Sequence, residues 1–438
     1  MGRSMLLLVS GLVVLSGIIQ FSNSQRASLL PERSAEVISE VQARNSTNSL
    51  IQTAIEKIRS DNTWEGTLYG GDLLPGSATL KTYDIENIEE LDAVDSLYSV
   101  GEGGWDTFKV LLFSEATYGD SKVITEVLMR RDSFSKYSYF SDKEKTSSGS
   151  NIYFYSSDEI SGPIHTNGTF KMSGSPTFYG HVSSPNLWRG RDGTVEGDAT
   201  PDFQGTTDFN AQTRELPSGA KVAALKSAAT SDGLTFNRLS YMIMKPDGSI
   251  DVSEYDSRSW NWTAFVNYPK ETHNGILSSS EKIYLEGTVS GQITIHSEDE
   301  VEIYDDIKYN VDPRVDDTST DLLGVVSEGD IIIDQNAHSR TGSKDIKLHG
   351  SYMALGSSFK VENHVAGSHR GNIDLLGGII QETRGPVGTF GAYGVTGFTK
   401  KYEYDERLGN SIPPHFPRES VFTVVSWKER VVSNTSGY

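Results

Sequence analysis

Glu281 to Ile307 reads EKIYLEGTVSGQITIHSEDEVEIYDDI, and it repeats a small unit instead of filling one long strand. Apolar pairs recur at Ile283/Leu285, Ile293/Ile295 and Val301/Ile303. Within each pair, two-residue alternation puts both side chains on one face of a strand. Gly287, Gly291 and the acidic run Ser297-Glu298-Asp299-Glu300 lie between the pairs and read as corners. Further pairs at Ile331/Ile333, Ile346/Leu348 and Ile373/Leu375 carry the unit through much of the C-terminal half. Short strands between tight turns cannot bury a face alone. They can when the chain coils and each turn stacks its inward residues on the turn below. The spacing therefore predicts a right-handed β-helix over 151–400, with an antiparallel sandwich of short strands as the alternative.

Composition narrows the function classes. A formal net charge of −20 argues against DNA or RNA as a partner, because such binding needs a basic footprint that displaces counterions. Much of the charge is local: Glu281 to Asp321 holds twelve acidic residues against Lys282, Lys308 and Arg314. It reads as a solvated edge that keeps an extended β protein from stacking onto its neighbours, with a calcium-binding face as the alternative. The absence of cysteine removes disulfides, thiolate metal sites and cysteine nucleophiles together. Glycine at 42 and proline at 14 suit a turn-rich folded β protein, not a low-complexity one.

At the N terminus, Met5 to Phe21 (MLLLVSGLVVLSGIIQF) carries no charge and is nearly all apolar. It is expected to anchor the chain in a membrane as part of residues 1–25, with cleavage after a signal-like stretch as the alternative. An amphipathic helix over 26–62 follows, with Val37, Val41, Ile51, Ala54, Ile55 and Ile58 on its apolar side and a kink expected at Pro31. Residues 63–150 read as a small α+β domain. In it Trp105–Phe113 and Lys122–Met129 form a hairpin about Tyr118-Gly119-Asp120-Ser121, and Thr82–Ser96 a short helix and loop. The repeat then begins. Ser161 to Ser184 spaces turn glycines at 162, 168, 174 and 180, with Ile164, Phe170, Phe178 and Val182 as inward candidates. An insertion at about 187–276, with a helix at Ala220–Ala229 and the Trp260-Asn261-Trp262 stretch, is where a binding surface or a lid is expected. Residues 401–438 are expected to cap the β-helix or to return to the early sheet.

An apolar helix running into an amphipathic one, with a β-rich region after it, resembles the layout of type IV pilin-like proteins of the minor class. The chain departs from that pattern in offering Gly2 and no Glu within Met5–Phe21. A second resemblance is to bacterial envelope proteins of uncharacterised function with pilus-assembly-like N termini. It is carried by Gly162–Gly168 and Gly174–Gly180, then by Gly377–Gln381, Arg384–Phe390, Lys401–Asp405 and Pro413–Pro417. These resemblances imply a mainly β fold with an N-terminal α-helix, comprising a single-pass apolar helix, a small pilin-like α/β sheet and a β-helix. They imply an inner-membrane-anchored envelope protein, pilus-associated or adhesive, whose partners are pilus or envelope assembly components and a surface glycan.

No catalytic, cofactor-binding or metal-binding residue is assigned. HExxH, GxSxG, GxxxxGK[ST] and GxGxxG are all missing. The two site alternatives are weak. His165 and His181 can meet across stacked turns as metal ligands, or serve as turn residues bonded to backbone. Asp316, Asp317 and Asp321 near Arg314 can serve a polysaccharide-acting enzyme as acid, base or calcium ligands. The expected function is therefore non-enzymatic, against that enzyme and against a self-assembling surface scaffold.

Overall fold

A single helix, α1, runs from Gly2 to Ser60. It belongs to a computed structural model that describes residues 2–91, 105–195, 197–217, 220–340, 342–391 and 394–433. Two compact units divide the chain, Met1–Asp132 with Val421–Tyr438, and Ser133–Ser420.

In the first unit α1 continues through Pro31 without a break. Leu50, Ile51, Ala54, Ile55 and Ile58 recur at three- and four-residue spacing, so they share one side of the helix, and all are buried. They pack on Leu80, Leu112, Ala116, Val123 and Val127. Those residues lie on a sheet in the order Thr67–Tyr69, Ser77–Tyr83, Lys109–Tyr118, Ser121–Ser133, Arg418–Ser433, antiparallel across its first four strands. The expected hairpin is present. Lys109–Tyr118 and Ser121–Ser133 pair from Lys109↔Arg130 to Tyr118↔Ser121, and the turn needs Gly119 at a φ of +56°. The last strand of the chain joins this sheet, the second of the two courses left open for it. Of the helix expected within Thr82–Ser96, a short 3-10 turn at Ile88–Glu90 is described, and 92–96 lie outside the described residues.

The expected fold class needs correction. Among the described residues no helix is long and apolar enough to cross a membrane. The side chains before Leu15 lie outside the described set. Nor do the strands of the second unit establish a right-handed β-helix. Most of them form one mixed sheet in which antiparallel pairs at Ser240–Met244/Ile250–Asp256 and Gly388–Gly391/Gly394–Glu403 interrupt the parallel ones, beside a separate parallel pair of Phe154–Tyr155 and Met172–Ser173.

The parallel part follows the apolar pairs. Ile283, Val301 and Ile331 lie side by side in register, as do Leu285, Ile303 and Ile333, and all six are buried. Ile293 and Ile295 pair with Leu323 and Val325, while Ile346 and Leu348 pair with Ile373 and Leu375. Ile164, Phe170, Phe178 and Val182 are buried as expected. One parallel row continues over many strands: Leu277, Ile295, Val325, Tyr352, Ile379, Tyr139, Ile164, Val182.

The glycine corners are of two kinds. Gly162 and Gly174 have φ of +78° and +69°, where only glycine is unstrained. Gly168 and Gly180 do not, so positive φ is not what requires them. A Cβ at Gly180 would run into the carbonyl of Gly162, and one at Gly205 into that of Gly180. These glycines are set by the close approach of neighbouring strands.

Candidate functional site

Ser240–Met244 alternates buried and half-buried residues throughout, and Ile283–Val289 and Val301–Tyr309 do so as far as Glu286 and Tyr304, where a register shift interrupts the pattern. Register aligns the outward residues Tyr241, Tyr284 and Glu302 in one row, and sets Glu286 beside Ile243 in the next. Tyr304 follows Glu302 by two residues and so shares its face. Over this face folds the antiparallel excursion Ile250–Asp256, Asn261–Trp262, Val266–Tyr268. It contributes Ser253, Trp262, Thr263 and Phe265 to a cleft of about 590 Å³. Asp334 and Arg340, at the two ends of the turn carrying the short helix Ala337–Arg340, close the remaining side.

Rings form the walls. Tyr241 meets Tyr304 at 5.2 Å, Phe265 at 5.7 Å and Trp262 at 6.3 Å, each edge to face, and Tyr284 meets Trp262 at 6.0 Å and Tyr304 at 5.9 Å. Edge-to-face contacts of this kind fix ring planes beyond what area burial does. Arg340 lies with its guanidinium 3.5 Å from the centre of the Tyr304 ring, donates to the Tyr304 carbonyl at 2.6 Å and pairs with Asp334 at 2.9 Å. One face of Tyr304 is thus already taken by a cation.

Three carboxylates share the cleft and its margin. The Tyr241 hydroxyl donates to Glu286 at 2.8 Å, and Lys282 pairs with Glu302 at 2.7 Å. Burial raises the Glu286 carboxyl above its ordinary range, against the Tyr241 hydrogen bond. Burial also raises Glu302; Lys282 opposes the shift and the neighbouring Asp334 carboxylate adds to it. The arrangement therefore mixes acceptors, fixed cationic donors and hydroxyls around apolar walls.

The two alternative sites weighed from the sequence lie elsewhere. His165 is buried, bonded to Ser183 at 2.8 Å and to Asn167 at 3.1 Å. His181 is exposed and bonded to Thr206 at 2.7 Å, so the two do not share a ligand. No group of three or more metal-ligating side chains occurs among the described residues. Asp316 is turned back on its own loop, accepting from the backbone and hydroxyl of Thr318. Asp321 is buried and accepts from the backbone N–H groups of Gly291 and Val311. Asp317 is exposed on the same loop. These three do not line one groove. The residues that do were legible as a pattern, since IYLE at 283–286 and VEIY at 301–304 each place one aromatic and one acid at outward positions.

A second surface lies on α1. Leu15, Ile18, Ile19 and Phe21 are 57–67% exposed, and Val37, Ile38 and Val41 are also exposed. Val37 and Val41 were expected on the packed side, but among the described side chains of α1 burial begins at Ala43.

Residues 108–186 match the family model of a domain of unknown function (DUF4900). The match takes in the hairpin and the glycine-spaced stretch through Ser184. No curated protein matches the chain. Among solved structures, the crystal structure of the competence-associated pilin ComZ from Thermus thermophilus is similar at 13% identity, over 90% of this chain and 98% of that one, with a TM-score of 0.32. A superposition at that level does not establish a common fold.

Proposed function

We propose that this chain is a non-enzymatic, pilus-associated protein of the bacterial cell envelope, and that the N-terminal half of α1 assembles with helices of like subunits. The observation that carries this reading is the exposed apolar surface of α1. Leu15, Ile18 and Ile19 lie at three- and four-residue spacing, and so do Val37, Ile38 and Val41, which gives each group one side of the helix. Burying a large aliphatic side chain is worth roughly 1.5–3 kcal/mol. A helix that leaves six of them and the ring of Phe21 open has that stabilisation available on assembly. The helix is held at its other end by the sheet of the same unit, so the apolar half projects from a folded base. The resemblance to pilin-like chains supports the same reading.

The natural chain has no cysteine, which makes the test direct. Leu15→Cys and Ile19→Cys variants of the full chain are expected to form intermolecular disulfides on mild oxidation, and Ser49→Cys, farther along the helix, is not. Replacing Leu15, Ile18 and Ile19 together by Ser is expected to convert high-mass assemblies to single chains in sizing experiments. A wild-type chain that stays monomeric, together with Leu15→Cys and Ile19→Cys variants that give no cross-link, would overturn the assembly reading.

A further inference from the structure

The aromatic cleft of the second unit has a chemistry that α1 assembly does not use. Its walls are the rings of Tyr241, Trp262, Phe265, Tyr284 and Tyr304. Its polar groups come in both signs: Glu302 and Asp334 accept, and Arg340 donates. Ser253 and Thr263 add hydroxyls that do either. We propose that this cleft binds a neutral saccharide, a short stretch of polyhydroxylated pyranose rings.

Charge selects this class. A cationic ligand meets Arg340 already stacked on Tyr304, and Lys282 at the margin paired to Glu302. An anionic ligand meets Glu302 and Asp334, with Glu286 beside them, on a chain of formal charge −20. A neutral ligand avoids both repulsions. Each sugar hydroxyl is donor and acceptor at once, so it can accept from the guanidinium and donate to a carboxylate, and the apolar C–H faces of the ring lie against aromatic walls. The volume of about 590 Å³ falls inside the ~300–1,000 Å³ of small-ligand sites. Trp260, two residues before the wall residue Trp262, is 77% exposed, and its φ of +54° is a conformation that bulky residues rarely adopt. The wall residue Phe265 is 48% exposed.

The test uses the full chain with gluco-, manno-, galacto- and xylo-oligosaccharides as probes, followed by calorimetry and tryptophan fluorescence, with uronic-acid oligosaccharides and choline as comparators. The expected result is saturable binding of at least one neutral probe. Trp262→Ala and Tyr284→Ala should each weaken it tenfold or more, while Trp262→Phe, which keeps a ring, should retain most of it. Glu302→Gln should weaken binding less than the ring deletions, since an amide still accepts. Thermal melts of each variant separate lost binding from lost folding. Failure of every neutral probe would overturn the proposal, as would tighter binding of an acidic or cationic comparator. Release of reducing ends by the wild type but not by Glu302→Gln would overturn it in favour of a catalytic cleft. The Leu15, Ile18 and Ile19 triple serine variant is expected to bind the saccharide like the wild type, so failure of α1 assembly and failure of the cleft can be told apart.

Discussion

Two parallel ladders of the second unit share the same inward alternation and differ in what lies outside them. In the ladder through Gln292–Ser297, the outward row contains His296, Val326, Met353, Ile380, Phe140 and His165, all buried. Leu225 and Ala229 of the helix Ala220–Asp232 (α2), together with Phe134 and Phe416, cover that row. In the ladder through Ile283–Val289 and Val301–Tyr309, the outward row is Tyr241, Tyr284 and Glu302, half open to the cleft. Alternation in a strand reports which face is inward. Whether the other face meets water depends on segments distant in sequence.

The largest effect should come from the covered row. Phe140→Ala removes a ring that contacts Phe134 at 5.3 Å and stacks on His165 at 5.4 Å. It should cost about 3–5 kcal/mol, like a deletion on the inward face, because it leaves a cavity between two packed layers. Ile303→Ala, inward on the open ladder, should cost about 2–5 kcal/mol. Denaturant titrations of both would sharpen the comparison, and a cost below about 1 kcal/mol for Phe140→Ala would break it.

The inward faces were readable because Ile, Val and Leu at two-residue spacing have one physical use in a short strand. The covered outer row was not readable, because Thr294 and His296 look like solvent-facing residues in the sequence. Their burial depends on the Pro413–Phe416 segment and on α2, and no local pattern announces that contact. The cleft was half readable. Tyr284, Glu286, Glu302 and Tyr304 stand at outward positions, but only the fold brings Trp262 and Phe265 over them. Asp321 shows the opposite case. Its carboxylate is used by backbone N–H groups of neighbouring turns, a role that sequence does not distinguish from catalysis.

The two regions should also respond to pH with opposite signs. Burial lowers His165 to about 4, against 6.5 for an exposed imidazole. The unfolded chain binds more protons between those values, so this contribution is present at neutral pH and is lost as pH falls from about 6.5 to 4. Glu302 is raised instead, so there the folded chain binds more protons, and stability declines as pH rises above the ordinary glutamate value of 4.5. Comparing unfolding free energies at about pH 5 and about pH 7, His165→Gln should remove part of the acid-side loss, and Glu302→Gln should remove part of the decline toward neutrality. Equal slopes in wild type and both variants would contradict the contrast between the two environments.

The smallest effects test the outward positions directly. Thr294 and Lys308 both stand at outward places in their strands, and alternation alone makes them equivalent. Thr294 is fully buried, and its hydroxyl donates to the Pro414 carbonyl at 2.6 Å. Thr294→Ala removes the donor and leaves that carbonyl without it under cover, which should cost about 1–3 kcal/mol. Lys308 is exposed on the open ladder, and Lys308→Ala should change stability by no more than about 0.5 kcal/mol. The difference between the two is the quantity of interest, because it cancels the lower strand propensity that alanine brings to either position. If Thr294→Ala melts with the wild type, the Pro413–Phe416 segment does not hold the outer face in solution, and both ladders are then covered on one side only.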